Sequence, residues 1–233
     1  MQISWIQKTT LLDYPGKVST IIFTLWCNFR CHYCHNYEFV LPEHVKVVAN
    51  DLITEETFFN FLKTREGFLD WVVISGWEPT LQKDLYDFAK KIKDMWYLVK
   101  IDTNWRDPDL IRKMIEDEII DYVAMDIKNP LEKYNDIVNS EFNPEDILES
   151  INLLLEWKID YEFRSTIAKW THSEEDIEEM AKMISRAKKY FLQNYQPKIR
   201  LNDRFEAESF TSQELLAMKK ITEKYVEKCD VRM

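Results

Sequence analysis

Val18-Ser19-Thr20-Ile21-Ile22-Phe23-Thr24-Leu25-Trp26-Cys27-Asn28-Phe29-Arg30-Cys31-His32-Tyr33-Cys34 joins an apolar run to a tight cysteine loop. Residues 18–25 are rich in β-branched side chains, as a strand buried on both faces requires. Three cysteines follow at spacings of four and three, and the fourth of the chain, Cys229, stands near its end. A thiol trio this close together after a strand points to a metal site. A closed zinc site takes four ligands, which His32, His35 or Cys229 would have to complete. Iron–sulfur clusters also take four protein ligands as a rule. A cubane cluster held by only three thiolates has one iron open to another ligand.

Outward from this loop, strand and helix patterns alternate. After Val18–Leu25, strands are expected at Trp71–Ser75, Leu98–Thr103, Ile119–Asp126, Ile159–Thr166 and Lys198–Leu201. Helices are expected from Thr54 to about Arg65, Leu85–Met95, from Pro108, from Asn143 to Glu156, from Ser173 to about Gln193, and from Thr211 to Glu227. Helical spacing of apolar residues and the capping residues Thr54, Asn143 and Ser173 support them. Ile3–Lys17 reads as a lead-in that ends in a turn at Tyr14-Pro15-Gly16-Lys17. Six βα units imply an α/β fold with parallel strands. A complete eight-unit barrel needs about 250 residues, so 233 residues suit a partial (β/α)6 TIM-like barrel, laterally open. No linker or composition break divides the chain, and one domain over residues 1–233 is expected.

The net charge of −10 comes without a basic stripe, which argues against a nucleic-acid partner. No apolar run reaches membrane-spanning length, and residues 1–17 lack a signal-peptide core. The few, clustered cysteines suit a reducing compartment. A cytoplasmic protein is the expectation.

In parallel α/β folds chemistry gathers at the C-terminal ends of strands. The predicted strand ends carry the cysteines, then Ser75-Gly76-Trp77-Glu78-Pro79-Thr80, Asp102-Thr103-Asn104, Asp126-Ile127-Lys128 and Arg164. Singly, these residues could be helix caps or surface ion pairs. As a set on one rim, beside the thiols, they read as one binding site.

The CxxxCxxC spacing, with Tyr33 before the third cysteine, resembles the radical S-adenosylmethionine (radical SAM) superfamily. That resemblance implies a 4Fe–4S cluster on Cys27, Cys31 and Cys34, with S-adenosylmethionine on the open iron and cleaved to a 5′-deoxyadenosyl radical. Ser75–Pro79 resembles the family's GGEP motif, with Trp77 in place of the second glycine; there the backbone and the acid, here Glu78, take the methionine amino group. Asp126 and Lys128 resemble a motif near the methionine carboxylate, and Asp102 and Asn104 one around the cofactor. Gly76, Tyr33 and Arg164 complete the expected cofactor-binding set.

More narrowly, Lys8–Lys17, Phe23-Thr24, Cys27–Cys31, Cys34-His35-Asn36, Ser75–Gln82, Asp102–Asn104 and Tyr122–Lys128 resemble anaerobic ribonucleoside-triphosphate reductase activating proteins. The implied partners are a glycyl-radical enzyme, from whose glycine the radical takes a hydrogen atom, and a flavodoxin- or ferredoxin-type electron donor. The alternatives are another radical SAM enzyme, of the pyruvate-formate-lyase activase or 7-carboxy-7-deazaguanine synthase type, and a non-catalytic zinc-binding module.

The chain has three glycines and eight tryptophans, against roughly sixteen glycines at average usage. Trp26, Trp77 and Trp105 stand where the family has glycine, and Trp96 and Trp157 stand between a helix and a strand, where a left-handed glycine is favoured. Trp5, Trp71 and Trp170 also fall at family-like or turn-like glycine places. Forcing tryptophan into the left-handed region costs about 1–2 kcal/mol, and eight such placements would consume much of a usual stability of about 5–15 kcal/mol. The pattern suggests a gene in which UGA encodes glycine.

Overall fold

The computed structural model describes residues 1–14, 16–34, 39–104, 107–197, 201 and 206–232. Hydrogen bonding orders eight strands β1 to β8 in one open sheet that follows chain order. The strands are β1 (Ile3–Thr10), β2 (Ser19–Thr24), β3 (Trp71–Gly76), β4 (Leu98–Thr103), β5 (Tyr122–Asp126), β6 (Asp160–Ile167), β7 (Tyr190–Asn194) and β8 (Cys229–Arg232). The helices are α1 (Pro42–Val48), α2 (Glu55–Lys63), α3 (Leu85–Asp94), α4 (Pro108–Glu116), α5 (Tyr134–Val138), α6 (Pro144–Glu156), α7 (Glu174–Met183) and α8 (Ser212–Thr222). Each of β2 to β7 is followed by at least one helix, the connectivity of a partial (β/α)6 barrel. By Cα packing the chain divides into two compact units, residues 1–28 with 38–123 and residues 29–37 with 124–233.

In the first unit β1 runs antiparallel to β2, while β2, β3 and β4 are parallel. Ile22, Val72, Val73, Ile74, Val99 and Ile101 are fully buried, each contributing about 1.5–3 kcal/mol by leaving water. Helix starts match their sequence signals. The Thr54 hydroxyl accepts the Thr57 amide at 3.1 Å, and Asp107 accepts the Leu110 amide at 2.9 Å ahead of Pro108. Gly76 has φ +117°, and a Cβ there would lie 2.4 Å from the Thr24 amide nitrogen. Only glycine lets the end of β3 press this close to β2.

In the second unit β6, β7 and β8 are parallel. Ser173 with Asp176 and Thr211 with Glu214 form capping boxes on α7 and α8. The buried Glu162 carboxylate receives Arg232 in two 3.1 Å hydrogen bonds, with the guanidinium 3.6 Å from the centre of the Phe191 ring. This ties β8 across β7 to β6.

Three expectations need correction. The helix expected from Ser173 to Gln193 stops at Met183, and the sixth strand of the βα series is β7. Arg186 takes φ 71° and gives its amide to Tyr225, so the chain turns without glycine or proline to signal it. The strand expected at Lys198–Leu201 lies outside the described residues except for Leu201, which is in no strand. The lead-in holds a full strand, β1, whose mixed burial hid it, and the chain closes with β8.

Candidate functional site

In the first unit the predicted residues converge on Glu78. Its carboxylate is fully buried. Oε1 accepts the Thr80 amide (3.0 Å), the Thr80 hydroxyl (2.5 Å) and the Thr103 hydroxyl (2.7 Å), while Oε2 accepts the Asn104 amide (2.7 Å). Burial pushes its pKa up, and the four donors oppose that shift without cancelling it. Glu78 therefore clamps the end of β3 to the end of β4. Thr80 and Thr103 complete the clamp. Both lie inside strand-end stretches quoted from the sequence, but neither is among the residues expected to bind anything.

The clamp leads to the first cysteine. The Asn104 side chain donates to Cys27 Sγ at 3.4 Å and to Asn28 Oδ1 at 3.0 Å. Trp26 gives its amide to the Phe39 carbonyl at 3.2 Å and accepts the Glu78 amide at 3.0 Å. Trp77 stacks on Phe39 at 4.4 Å. Asp102, at the C-terminal end of β4, accepts the Ser75 hydroxyl at 3.0 Å and pairs with Lys100 at 3.3 Å. Lys100 is buried, donates to the Asp13 carbonyl at 2.8 Å, and lies 5.6 Å from the Tyr122 ring centre.

In the second unit Asp126 receives Lys128 at 2.9 Å on one oxygen and Arg164 at 2.9 Å on the other. Burial works against the Lys128 charge, but Asp126, joined by Tyr33 and Cys31, outweighs it and holds its pKa well above the ordinary lysine value. His172 is buried and accepts the Ala168 amide on Nδ1 at 3.2 Å, so Nε2–H donates to the Lys128 carbonyl at 3.0 Å.

The remaining cysteines belong to this unit. The Arg30 amide donates to the Val138 carbonyl (2.8 Å) and the His32 amide to the Ile137 carbonyl (3.2 Å), which seats the loop on α5. The Cys34 amide donates to the Cys31 carbonyl at 2.9 Å, closing the turn between the two thiols. Tyr33 is buried with its ring 6.3 Å from that of Tyr195, and burial raises its pKa. Burial likewise pushes the Cys31 thiol up to about 11, while the Lys128 charge favours its thiolate.

Of the alternative fourth ligands, His35 lies outside the described residues and His32 is half-buried. Cys229 is buried in β8, its thiol raised to about 11 by burial. Among the described residues, no three histidine, cysteine or acidic side chains close into a metal-sized cluster. The donor chemistry suits a thiophilic metal group: three thiols stand in one loop, and thiolates are the ligands such a group takes. Asn104 adds a polar site, since its Oδ1 is buried and has no hydrogen-bond partner among the described residues. None of the helices, among the described residues, is long and apolar enough to cross a membrane.

Comparison with known proteins gives four concordant matches. The family model of the Radical SAM superfamily matches residues 21–185. A Methanocaldococcus jannaschii protein named "Putative glycyl-radical enzyme activating enzyme MJ1227" is 36% identical over 236 residues, covering 99% of this chain and 95% of that protein. The pyruvate formate-lyase-activating enzyme of Listeria monocytogenes is 32% identical over 134 residues, 53% of this chain and 51% of its own. In fold, Streptococcus suis SuiB, solved with S-adenosylmethionine, has a TM-score of 0.67 at 14% identity, covering 91% of this chain and 52% of that one.

Proposed function

This chain belongs to the radical SAM superfamily, and we propose that it is a glycyl-radical enzyme activase whose partner is an anaerobic ribonucleoside-triphosphate reductase. Members of the superfamily bind a 4Fe–4S cluster and S-adenosylmethionine. With the family established, the zinc-module reading of the cysteines gives way to a cluster. The observation that carries the activase reading is the 36% identity to MJ1227, which extends over essentially both chains. The reductase as partner rests on the resemblance in Lys8–Lys17 and the loops after β2, β3, β4 and β5.

In this reading Cys27, Cys31 and Cys34 are the cluster ligands. When bound, the cluster and S-adenosylmethionine would supply the radical chemistry that activates the partner's glycine. The protein's part is to bind, orient and exclude water. Gly76, Trp77 and Glu78 shape the segment for the methionine amino group, with Glu78 acting through its clamp on Asn104. Asp102 and Asn104 offer acceptors to the adenosine end. Asp126 holds Lys128 and Arg164 as a paired cationic group for the carboxylate, and Tyr33 packs beside the ligand cysteines. Residues 1–233 act as one catalytic domain, in the cytoplasm, with electrons from a flavodoxin- or ferredoxin-type donor.

A second reading keeps the chemistry and changes the partner to a pyruvate-formate-lyase-type enzyme, supported by the 32% identity over half the chain. Incubating the reduced, reconstituted protein with each candidate enzyme and recording its glycyl-radical electron paramagnetic resonance signal decides between them. A signal on the reductase alone supports the first reading. A signal on the lyase alone replaces it with the second.

A further inference from the structure

Left-handed backbone is scarce in this protein and is occupied in an unusual way. All three glycines have positive φ, Gly16 at 75°, Gly67 at 77° and Gly76 at 117°. Among the described residues, six others share that region: Trp26 (72°), Trp96 (67°), Trp170 (69°), Glu118, Asn139 and Arg186. Among the described residues three of seven tryptophans are therefore left-handed, as against three of all other non-glycine residues, while Trp157, expected there from the sequence, is extended at φ −89°. Asn139 is a residue type that tolerates this conformation. Tryptophan is not, because its Cβ crowds the following carbonyl.

Packing does not explain these tryptophans. Trp96 is 94% exposed and Trp170 is 81% exposed. Trp96 stands two residues beyond the last residue of α3, with its amide on the Lys93 carbonyl, a position where helices close with glycine. Trp26 uses both its amide and its carbonyl, as described above, to bring Cys27 alongside Glu78. Trp96 and Trp170 hold a glycine's backbone conformation while their indole rings stand in solvent, and Trp26 holds it beside the first cysteine.

We propose that the natural polypeptide carries glycine at positions 26, 96 and 170, through a UGA codon that its ribosomes read as glycine, and that the same codon places glycine at 5, 71, 77, 105 and 157. Glycine then totals eleven, nearer average usage. The consequence is local to the site: Cys27, Glu78 and Asn104 each gain an adjoining glycine, at 26, 77 and 105. The segments around the cysteines and the carboxylate clamp become glycine loops, able to bring backbone amides against a ligand. Trp71 is the demanding case, because it is buried and stacks on Tyr14 at 4.1 Å. Even there its indole N–H is buried without a hydrogen-bond partner among the described residues.

Two measurements test this independently of the protein's activity. The codons at 26, 96 and 170 are read from the gene, and the corresponding tryptic peptides of the protein from its own cells are weighed. UGA codons and glycine masses are expected; UGG codons or tryptophan masses at any of the three overturn the proposal. The second measurement compares glycine and alanine at the exposed positions 96 and 170 in the otherwise unchanged chain. Both substitutions remove the indole, but only glycine removes the Cβ. Trp96→Gly and Trp170→Gly are expected to melt about 2–4 °C above Trp96→Ala and Trp170→Ala. Alanine variants that equal or exceed the glycine variants overturn the claim that these positions are built for glycine.

Discussion

The Asn104 amide donates to the Glu78 carboxylate at 2.7 Å, while the Asn104 side chain donates to Cys27 Sγ at 3.4 Å. One residue at the end of β4 thus joins a buried acid at the end of β3 to the first cysteine after β2. Three strand ends identified separately in the sequence become one connected network.

Glu78→Gln keeps the shape of this clamp but replaces one acceptor oxygen with a donor. At least one of the four donors then faces an NH2 group. Losing a hydrogen bond to a buried charged acceptor costs about 1.5–3 kcal/mol, so Tm should fall by about 2–4 °C per kcal/mol. Calorimetry of the apo protein checks this, and an unchanged Tm would show that the network does not hold the site.

Lys100 is a buried cation joined to Asp102 at 3.3 Å and to the Asp13 carbonyl at 2.8 Å. Lys100→Met leaves the Asp102 carboxylate without its cation, and breaking a buried pair from one side costs about 3–5 kcal/mol. The Lys100→Met/Asp102→Asn double variant should recover part of that loss, because the stranded charge is gone. Urea unfolding of the four proteins supplies the cycle; simple additivity would count against the pairing.

His172 is buried, neutral and bonded through Nε2–H to the Lys128 carbonyl. Burial lowers its pKa from 6.5. In the window just below 6.5 the unfolded chain therefore binds more protons than the folded one, and stability falls as the pH falls. The contribution is fully present above 6.5 and is lost as the pH drops towards the lowered value. His172→Gln should flatten the pH dependence of Tm between neutral and mildly acidic solution; an unaltered slope would remove His172 from the account.

Cys229 is buried in β8 rather than placed in the cysteine loop. After anaerobic reconstitution with iron and sulfide, Cys229→Ala should retain the iron content of the parent, while Cys27→Ala, Cys31→Ala and Cys34→Ala should each lose most of it. Iron analysis with visible absorption reads this directly. Loss of iron in Cys229→Ala would make it a fourth ligand.

The sequence made the buried strands legible because β2 to β6 are short runs rich in β-branched and aromatic or other apolar residues between helical patterns. It concealed β7, where two lysines precede Tyr190-Phe191-Leu192 and the turn at Arg186 contains neither glycine nor proline. The site's charged members could be read from their positions at strand ends. The roles of Lys100, Thr80, Thr103 and His172 could not, because a buried lysine in mid-strand and threonines within a strand-end stretch look in sequence like ordinary strand and loop residues. Their roles appear only through distances to Asp102, Glu78 and Lys128.

The most direct test of the central claim is the formation of 5′-deoxyadenosine under anaerobic conditions. Two forms of the chain, one as it stands and one with glycine at all eight tryptophan positions, are reconstituted with iron and sulfide. Each then receives S-adenosylmethionine and a strong reductant. The account predicts product from at least the glycine form, and its disappearance when Cys31→Ala is introduced. No product from either form, together with zinc bound in place of iron, would contradict it.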